Sequence, residues 1–177
     1  MRHSGKWTSF TRHQGTRGFS FLGLKLGPPF ACGMRREYPE APRVGVSALI
    51  RQGDTVLLVK RGAEPGKGCW ALPGGLLELG EDLADAVKRE VREETGLSVE
   101  PTDVVAVQQY VEGRVRYHYV LITFECEVRG GSPRPGSDAA DVSWFPLAEA
   151  LKLRLTDTTR RILTKGNRVY LGTVYRR

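Results

Sequence analysis

The sequence predicts an α/β domain in which a mixed β-sheet is packed by helices. Three observations predict it. Two short, apolar, β-rich runs, Val44 to Ile50 and Thr55 to Lys60, flank a turn. One strongly periodic helix follows over Glu81 to Thr95. Two alternating runs and further helical segments come after it, with no internal repeat. Strands on both sides of one dominant helix read as a single domain over residues 34–177.

In chain order, Arg51-Gln52-Gly53-Asp54 turns the first pair of runs into a hairpin. Arg61 to Cys69 (RGAEPGKGC) is a Gly/Pro loop. Trp70 to Leu72 is extended, and Pro73-Gly74-Gly75 is expected to turn the chain. Glu81 and Asp82 suit the positive end of the following helix, and Gly96 reads as its C-cap. Asp103 to Tyr110 and Val115 to Val128 are strands joined around Glu112-Gly113. In the second, Val120, Ile122, Phe124, Cys126 and Val128 share one face, which alternation marks as the single buried one. Tyr117, Tyr119, Leu121, Thr123, Glu125 and Glu127 share the other. Residues 129–141 form a loop, Val142 to Phe145 a short strand, and Leu147 to Lys152 and Thr156 to Lys165 helices. The tail from Asn167 reads either as a strand or as loose chain.

The net charge of +7 is unevenly spread. Arg2, Lys6, Arg12, Arg17 and Lys25 supply five of these charges within residues 1–33, which contain no acid. The high pI therefore reports that segment and gives the domain no case for a nucleic-acid partner. Residues 1–33 are expected to be a disordered basic extension or sequence upstream of the true start at Met34. A nucleic-acid arm, a targeting presequence and a docked extension are the other readings. No run of 18 apolar residues predicts a membrane span. Cys32, Cys69 and Cys126 have no metal-ligand spacing, so free thiols and a cytoplasmic location are expected.

The helix breaks its own pattern. At about 100° per residue, Leu83, Ala84, Val87 and Val91 define the apolar sector, while Asp85, Lys88, Arg89 and Arg92 fall opposite. Glu90 and Glu94 fall beside the apolar sector, with Glu93 on the adjoining flank. A solvated face does not account for them, and Glu90 repels Glu93 and Glu94 at helical spacing. Carboxylates near a core need a compensating partner, and a divalent cation would supply one. Oxygen-only ligands suit Mg²⁺ or Mn²⁺.

Gly75, five residues, Glu81, seven residues and then Arg89-Glu90-Val91-Arg92-Glu93-Glu94-Thr95-Gly96-Leu97 fill all nine specified positions of GX5EX7REUXEEXGU. The chain thereby resembles the Nudix hydrolases, from about Arg43 to Leu163. The resemblance implies an α/β/α sandwich around a mixed sheet and hydrolysis of a nucleoside diphosphate linked to another moiety, X, with Mg²⁺ or Mn²⁺. It implies Glu90, Glu93 and Glu94 as metal ligands or holders of metal-bound water, Glu90 also as general base, and Glu81 as an outer ligand or support. Arg89 would pair with a glutamate and orient it, with Gly75 and Gly96 structural as turn and cap. Asp138 of the late loop is the candidate further carboxylate. Arg61, Lys60 and Lys67 are candidates for phosphate, and Tyr110, Tyr117 and Tyr119 for stacking on base or ribose. His118 and Trp70 read as structural. The flanking pattern is similar to the ADP-ribose pyrophosphatase group, although Glu112 stands where that group often has proline. The alternatives are a (d)NTP pyrophosphohydrolase that clears oxidised nucleotides and a non-catalytic nucleotide-sensing domain. Many such proteins are homodimers.

Overall fold

Strand β1 (Arg43–Gln52) shows why the sheet has no solvated side at its centre. Val46, Ala48 and Ile50 point to one apolar cluster and Leu49 to another, and all four are at most 1% exposed. A strand buried on both faces reads as a near-continuous apolar run, which is what VSALI is apart from Ser47. The computed structural model describes residues 36–136, 139–165 and 170–176. The basic extension, its expected boundary at Met34, Cys32 and Asp138 lie outside the described residues.

β2 (Thr55–Arg61) returns antiparallel to β1 through the expected turn, with Gly53 at φ 60°. It pairs on its other edges with the two-residue β3 (Trp70–Ala71) and with β7 (Ala139–Pro146). β4 (Gly74–Leu76) pairs antiparallel with the start of β1. β6 (Tyr117–Gly131) runs parallel to β1, and β5 (Leu97–Glu112) runs antiparallel to β6. β8 (Tyr170–Arg176) closes the edge parallel to β5, so the tail is a strand. The order β3-β2-β1-β6-β5-β8 is a mixed sheet, as expected.

Helix α1 (Leu83–Thr95) packs Ala86, Val87 and Val91 into the cluster under Val46, Ala48, Ile50, Leu57 and Cys126. Ala86, not Ala84, is the fully buried alanine of this helix. The short α2 (Leu147–Ala150) and α3 (Asp157–Lys165) bury Ala150, Ile162 and Leu163 in the second cluster with Leu49, Leu58 and Leu72. Helices contributing to two distinct cores give the expected sandwich.

Two expectations need correction. β5 begins directly after the helix cap, not at Asp103, and runs with irregular register between Ser98 and Ala106. On β6 the face carrying Tyr117, Tyr119 and Thr123 is as deeply buried as the other, because Tyr117 and Tyr119 pack in a further cluster with Tyr110, Val174, Leu76 and Leu121. Ser47 and Thr123 hydrogen-bond there at 2.8 Å, which lets a hydroxyl pair sit in the interior.

Both ends of α1 are satisfied. The Asp82 carboxylate accepts from Ala84 N at 2.8 Å, so Asp82 is the N-cap and Glu81 precedes the helix. Gly96 takes a left-handed φ of 73° and its N–H donates to the Arg92 carbonyl. The segment 132–136 folds over this end: Arg134 N donates to the Thr95 carbonyl and Gly136 N to the Glu94 carbonyl, both at 2.9 Å. These amides supply partners that terminal helix carbonyls otherwise lack. Gly136 approaches so closely that a β-carbon would lie 1.7 Å from the Glu93 carbonyl oxygen.

Candidate active site

Arg89 is the hub. Its Nε and Nη2 donate to the two oxygens of Glu81 at 2.7 and 2.8 Å, a planar fork on a carboxylate. Nη1 donates to Glu90 Oε1 at 2.7 Å and Nη2 to the Leu76 carbonyl at 3.1 Å. Glu93 lies within 3.6 Å of Nη1. The wheel placed Arg89 on the solvated side, but its side chain is only 25% exposed. The length of arginine lets it curl back to the carboxylates that precede and follow it.

The fork pulls the Glu81 carboxyl down to about 2, and Glu78 N adds a further hydrogen bond. Glu90 goes the other way: its half-burial raises it, although Arg89 opposes the shift. The two carboxylates share one guanidinium and are shifted in opposite directions. Gly75 makes the room. A β-carbon there would fall 2.3 Å from the Glu90 carboxyl, so its role is close approach within β4 and not a turn. Glu94 is held from the same strand, its Oε2 accepting from Gly74 N at 2.9 Å.

These side chains open onto a cleft of about 1100 Å³ lined by Glu90, Glu93 and Glu94 together with Arg89. Arg61 lines it too, with its Nε anchored on the Pro65 carbonyl at 2.7 Å. Lys60 and Tyr117, both expected at the substrate, are not among its lining residues. Lys60 sits in β2 between Trp70 and Asp141. The hydroxyl of Tyr117 donates to Glu37 at 2.8 Å and its ring stacks on Tyr119, which leaves it 2% exposed. Tyr110 and Tyr119 do face the cleft. The Tyr110 hydroxyl donates to Glu112, so the position that departs from the proline pattern touches a lining residue.

Sequence reasoning missed Arg36, Arg43, Arg154 and Gln108, all of which line the cleft. Burial raises the Tyr119 phenol, while Arg36, Arg43 and Arg61 pull against that rise, so three guanidiniums surround this ring. Gln108 had a readable signal: it shares a face of β5 with Ala106 and Tyr110, a polar residue at a core position. The arginines had none, because surface arginines are common in any basic chain.

Among the described residues, no three acidic, His or Cys side chains stand close enough to hold a metal ion as they are. Glu90 is engaged by Arg89 and the Glu93 side chain is 59% exposed. The donor chemistry nevertheless fits a hard divalent cation. Glu90, Glu93 and Glu94 offer only oxygen, and burial of Glu90 beside Glu93 and Glu81 favours added positive charge.

The model of the NUDIX domain matches residues 41–165. The chain belongs to the Nudix hydrolase family. An ADP-ribose pyrophosphatase of Methanocaldococcus jannaschii is 39% identical over 112 residues, 63% of this chain and 66% of that protein. A MutT NUDIX hydrolase from Burkholderia pseudomallei superposes with a TM-score of 0.67 at 33% identity, over 72% of this chain and 99% of that one. A bifunctional NMN adenylyltransferase/ADP ribose pyrophosphatase from Francisella tularensis, solved with AMP and a Mn ion, gives a TM-score of 0.55 at 28% identity. That match covers 70% of this chain and 40% of that one. Among the described residues of this Nudix protein, no helix is long and apolar enough to cross a membrane.

Proposed function

We propose that this protein hydrolyses the diphosphate of a nucleoside diphosphate linked to another moiety, with ADP-ribose as substrate and AMP and ribose 5-phosphate as products. The observation that carries this reading is the single cleft in which the Arg89-ordered glutamates and four arginines, Arg36, Arg43, Arg61 and Arg154, line one space. Carboxylates at one wall and guanidiniums around it suit a charged diphosphate bearing a larger organic group. The similarity to the archaeal ADP-ribose pyrophosphatase supports the choice of substrate.

Glu90, Glu93 and Glu94 would hold Mg²⁺ or Mn²⁺, with Glu81 as support through Arg89. The bound cation would offset the negative charge of the diphosphate and make water a stronger acid. Glu90, raised by burial, takes the proton as water oxygen bonds to phosphorus and the bridging P–O bond breaks. The leaving phosphate departs with the bridging oxygen. Arg89 keeps Glu90 oriented, and the cleft arginines hold the remaining phosphate oxygens. Asp138 would add a further carboxylate, and a homodimer is the assembly we expect.

The test is incubation of the full chain with Mg²⁺ and a panel of ADP-ribose, nucleotide sugars, dinucleotide polyphosphates and (d)NTPs, with products resolved chromatographically. AMP and ribose 5-phosphate from ADP-ribose are expected. Pyrophosphate from an oxidised (d)NTP as the main product would move the protein to nucleotide-pool cleaning. Binding without any hydrolysis would make it a nucleotide sensor.

A further inference from the structure

Gln108 holds a buried polar atom that no group among the described residues uses. It lies on β5 in the cleft wall and is 1% exposed. Its Nε2 donates to the Thr158 carbonyl at 3.3 Å, and its Oε1 is fully buried with no hydrogen-bond partner among the described residues. Turning the amide over does not help. Oε1 would then face the Thr158 carbonyl, acceptor against acceptor, and Nε2 would be stranded instead. Unpartnered buried acceptors are rare in native proteins and call for an explanation.

The surroundings narrow what could satisfy it. Register places Leu121 of β6 beside Gln108. Ile162 follows Thr158 by one helical turn on the same face of α3. Leu72 is tied to α3 by its own amide, which donates to the Thr159 hydroxyl at 3.1 Å. Leu72, Leu121 and Ile162 line the same cleft as Gln108. Aliphatic walls around one acceptor suit a flat ring with apolar faces and an N–H donor on its edge. A phosphate brings no donor. A ribose carries hydroxyls on several sides, and some would face leucine and isoleucine unpaired.

We infer that Gln108 Oε1 accepts a hydrogen bond from an exocyclic amino group of the substrate's nucleobase, and so sets base specificity. This rests on the proposed reaction, since it seats the nucleoside between β5 and α3 with its diphosphate toward Glu90. A buried acceptor rejects a base without the donor, because the acceptor then stays unpaired.

Two nucleotide pairs differ only in an exocyclic amino group: AMP against purine riboside 5′-monophosphate, and GMP against IMP. Calorimetric titration of all four into the full chain, without added metal, reads recognition apart from hydrolysis. In one pair the amino-bearing nucleotide is expected to bind about 10- to 100-fold tighter. Gln108→Met keeps the length of the side chain and removes the acceptor. It should bind both members of that pair alike. Equal binding within both pairs by the wild-type chain overturns the inference, and that comparison needs no variant to fold. So does a preference that survives in Q108M, or no binding of any of the four at millimolar concentration. Hydrolysis of ADP-ribose is assayed alongside. Turnover without amino preference overturns this inference alone, whereas preference without turnover leaves it standing and removes the proposed reaction.

Discussion

At one part of the cleft, Arg89, Glu90, Glu93 and Glu94, with Glu81 paired to Arg89, come from a single stretch of sequence that a loop and a helix bring together. Around the rest of it, Arg43, Arg61, Gln108, Tyr119 and Arg154 come from four strands and the loop before α3. In the first group, spacing along the chain nearly dictates geometry, because one helix and one guanidinium organise it. In the second, neighbours in space are distant in sequence and only the sheet register unites them. The first group would do chemistry common to many substrates, and the second would choose among them. Substitutions in the first should therefore act on kcat, and substitutions in the second on KM.

The largest effect is expected at Glu94 and Glu93. Glu94→Gln or Glu93→Gln should lower kcat by about 10²- to 10⁴-fold. The thermal midpoint should stay close to wild type, since neither residue belongs to the buried core. Steady-state kinetics with ADP-ribose, beside a melting curve, checks both halves. Near-normal turnover in both variants would place the carboxylate chemistry elsewhere.

Two adjacent glycines sharpen the same contrast. At Gly75 an added β-carbon meets the far end of the Glu90 side chain at 2.3 Å, which can swing away. At Gly74 it meets the Val46 carbonyl oxygen at 2.2 Å, which is backbone in the central strand and cannot yield. Gly75→Ala should therefore fold and melt normally but lose roughly tenfold or more in kcat, since displacing a positioned group by about 1 Å can cost 10²-fold. Gly74→Ala should be impaired in folding itself. Equal stability losses in the two variants would show that Gly75 serves the strand and not the Glu90 carboxylate.

The legibility of the molecule follows the same division. The hairpin, the helix and its glycine cap could be read because each is specified by residues adjacent in sequence. The β6 face carrying Tyr117, Tyr119 and Thr123 was misjudged, since alternation shows two faces but not whether a second layer covers the polar one. Tyr117 was expected at the substrate for its chemistry, yet Glu37 captures its hydroxyl, a contact made across 80 positions of chain. Gln108 escaped, although its place on the face of Ala106 and Tyr110 was readable, because Gln109 beside it puts the same polar residue on the other face and hides which of the two is buried. Arg89 was read correctly as a partner for glutamate, although helical angle alone would have sent it to solvent.

On the other side of the contrast, Arg154 is exposed at the rim and has no hydrogen bond to a carboxylate among those described. Losing one charge-assisted contact to phosphate is worth about tenfold. Arg154→Ala should raise KM for ADP-ribose by about that factor and leave kcat unchanged. A fall in kcat with KM constant would mean that this arginine acts on the reacting phosphate and would erase the division between the two groups.

The smallest effects are expected where sequence and structure part company. Lys60 and Tyr117 carry the right chemistry for a nucleotide but do not line the cleft. Lys60→Ala and Tyr117→Phe should each change kcat/KM by less than about twofold, since neither side chain lines the cleft and Tyr117→Phe keeps the ring that stacks on Tyr119. The two variants should differ in stability, since Tyr117→Phe removes one of the two side-chain hydrogen bonds to the Glu37 carboxylate and leaves it to Arg116, whereas Lys60→Ala breaks no contact of this kind among the described residues. Glu37 precedes the first strand, so the same measurement reports how firmly that segment is tied to the β5–β6 turn. A chain starting at Met34 retains this tie and should keep full activity. One starting after Tyr38 loses Glu37, and with it Arg36 from the cleft, and should show a raised KM like that of Arg154→Ala. Equal kinetics from the two truncations would remove Arg36 from the binding group and leave the diphosphate to Arg43, Arg61 and Arg154.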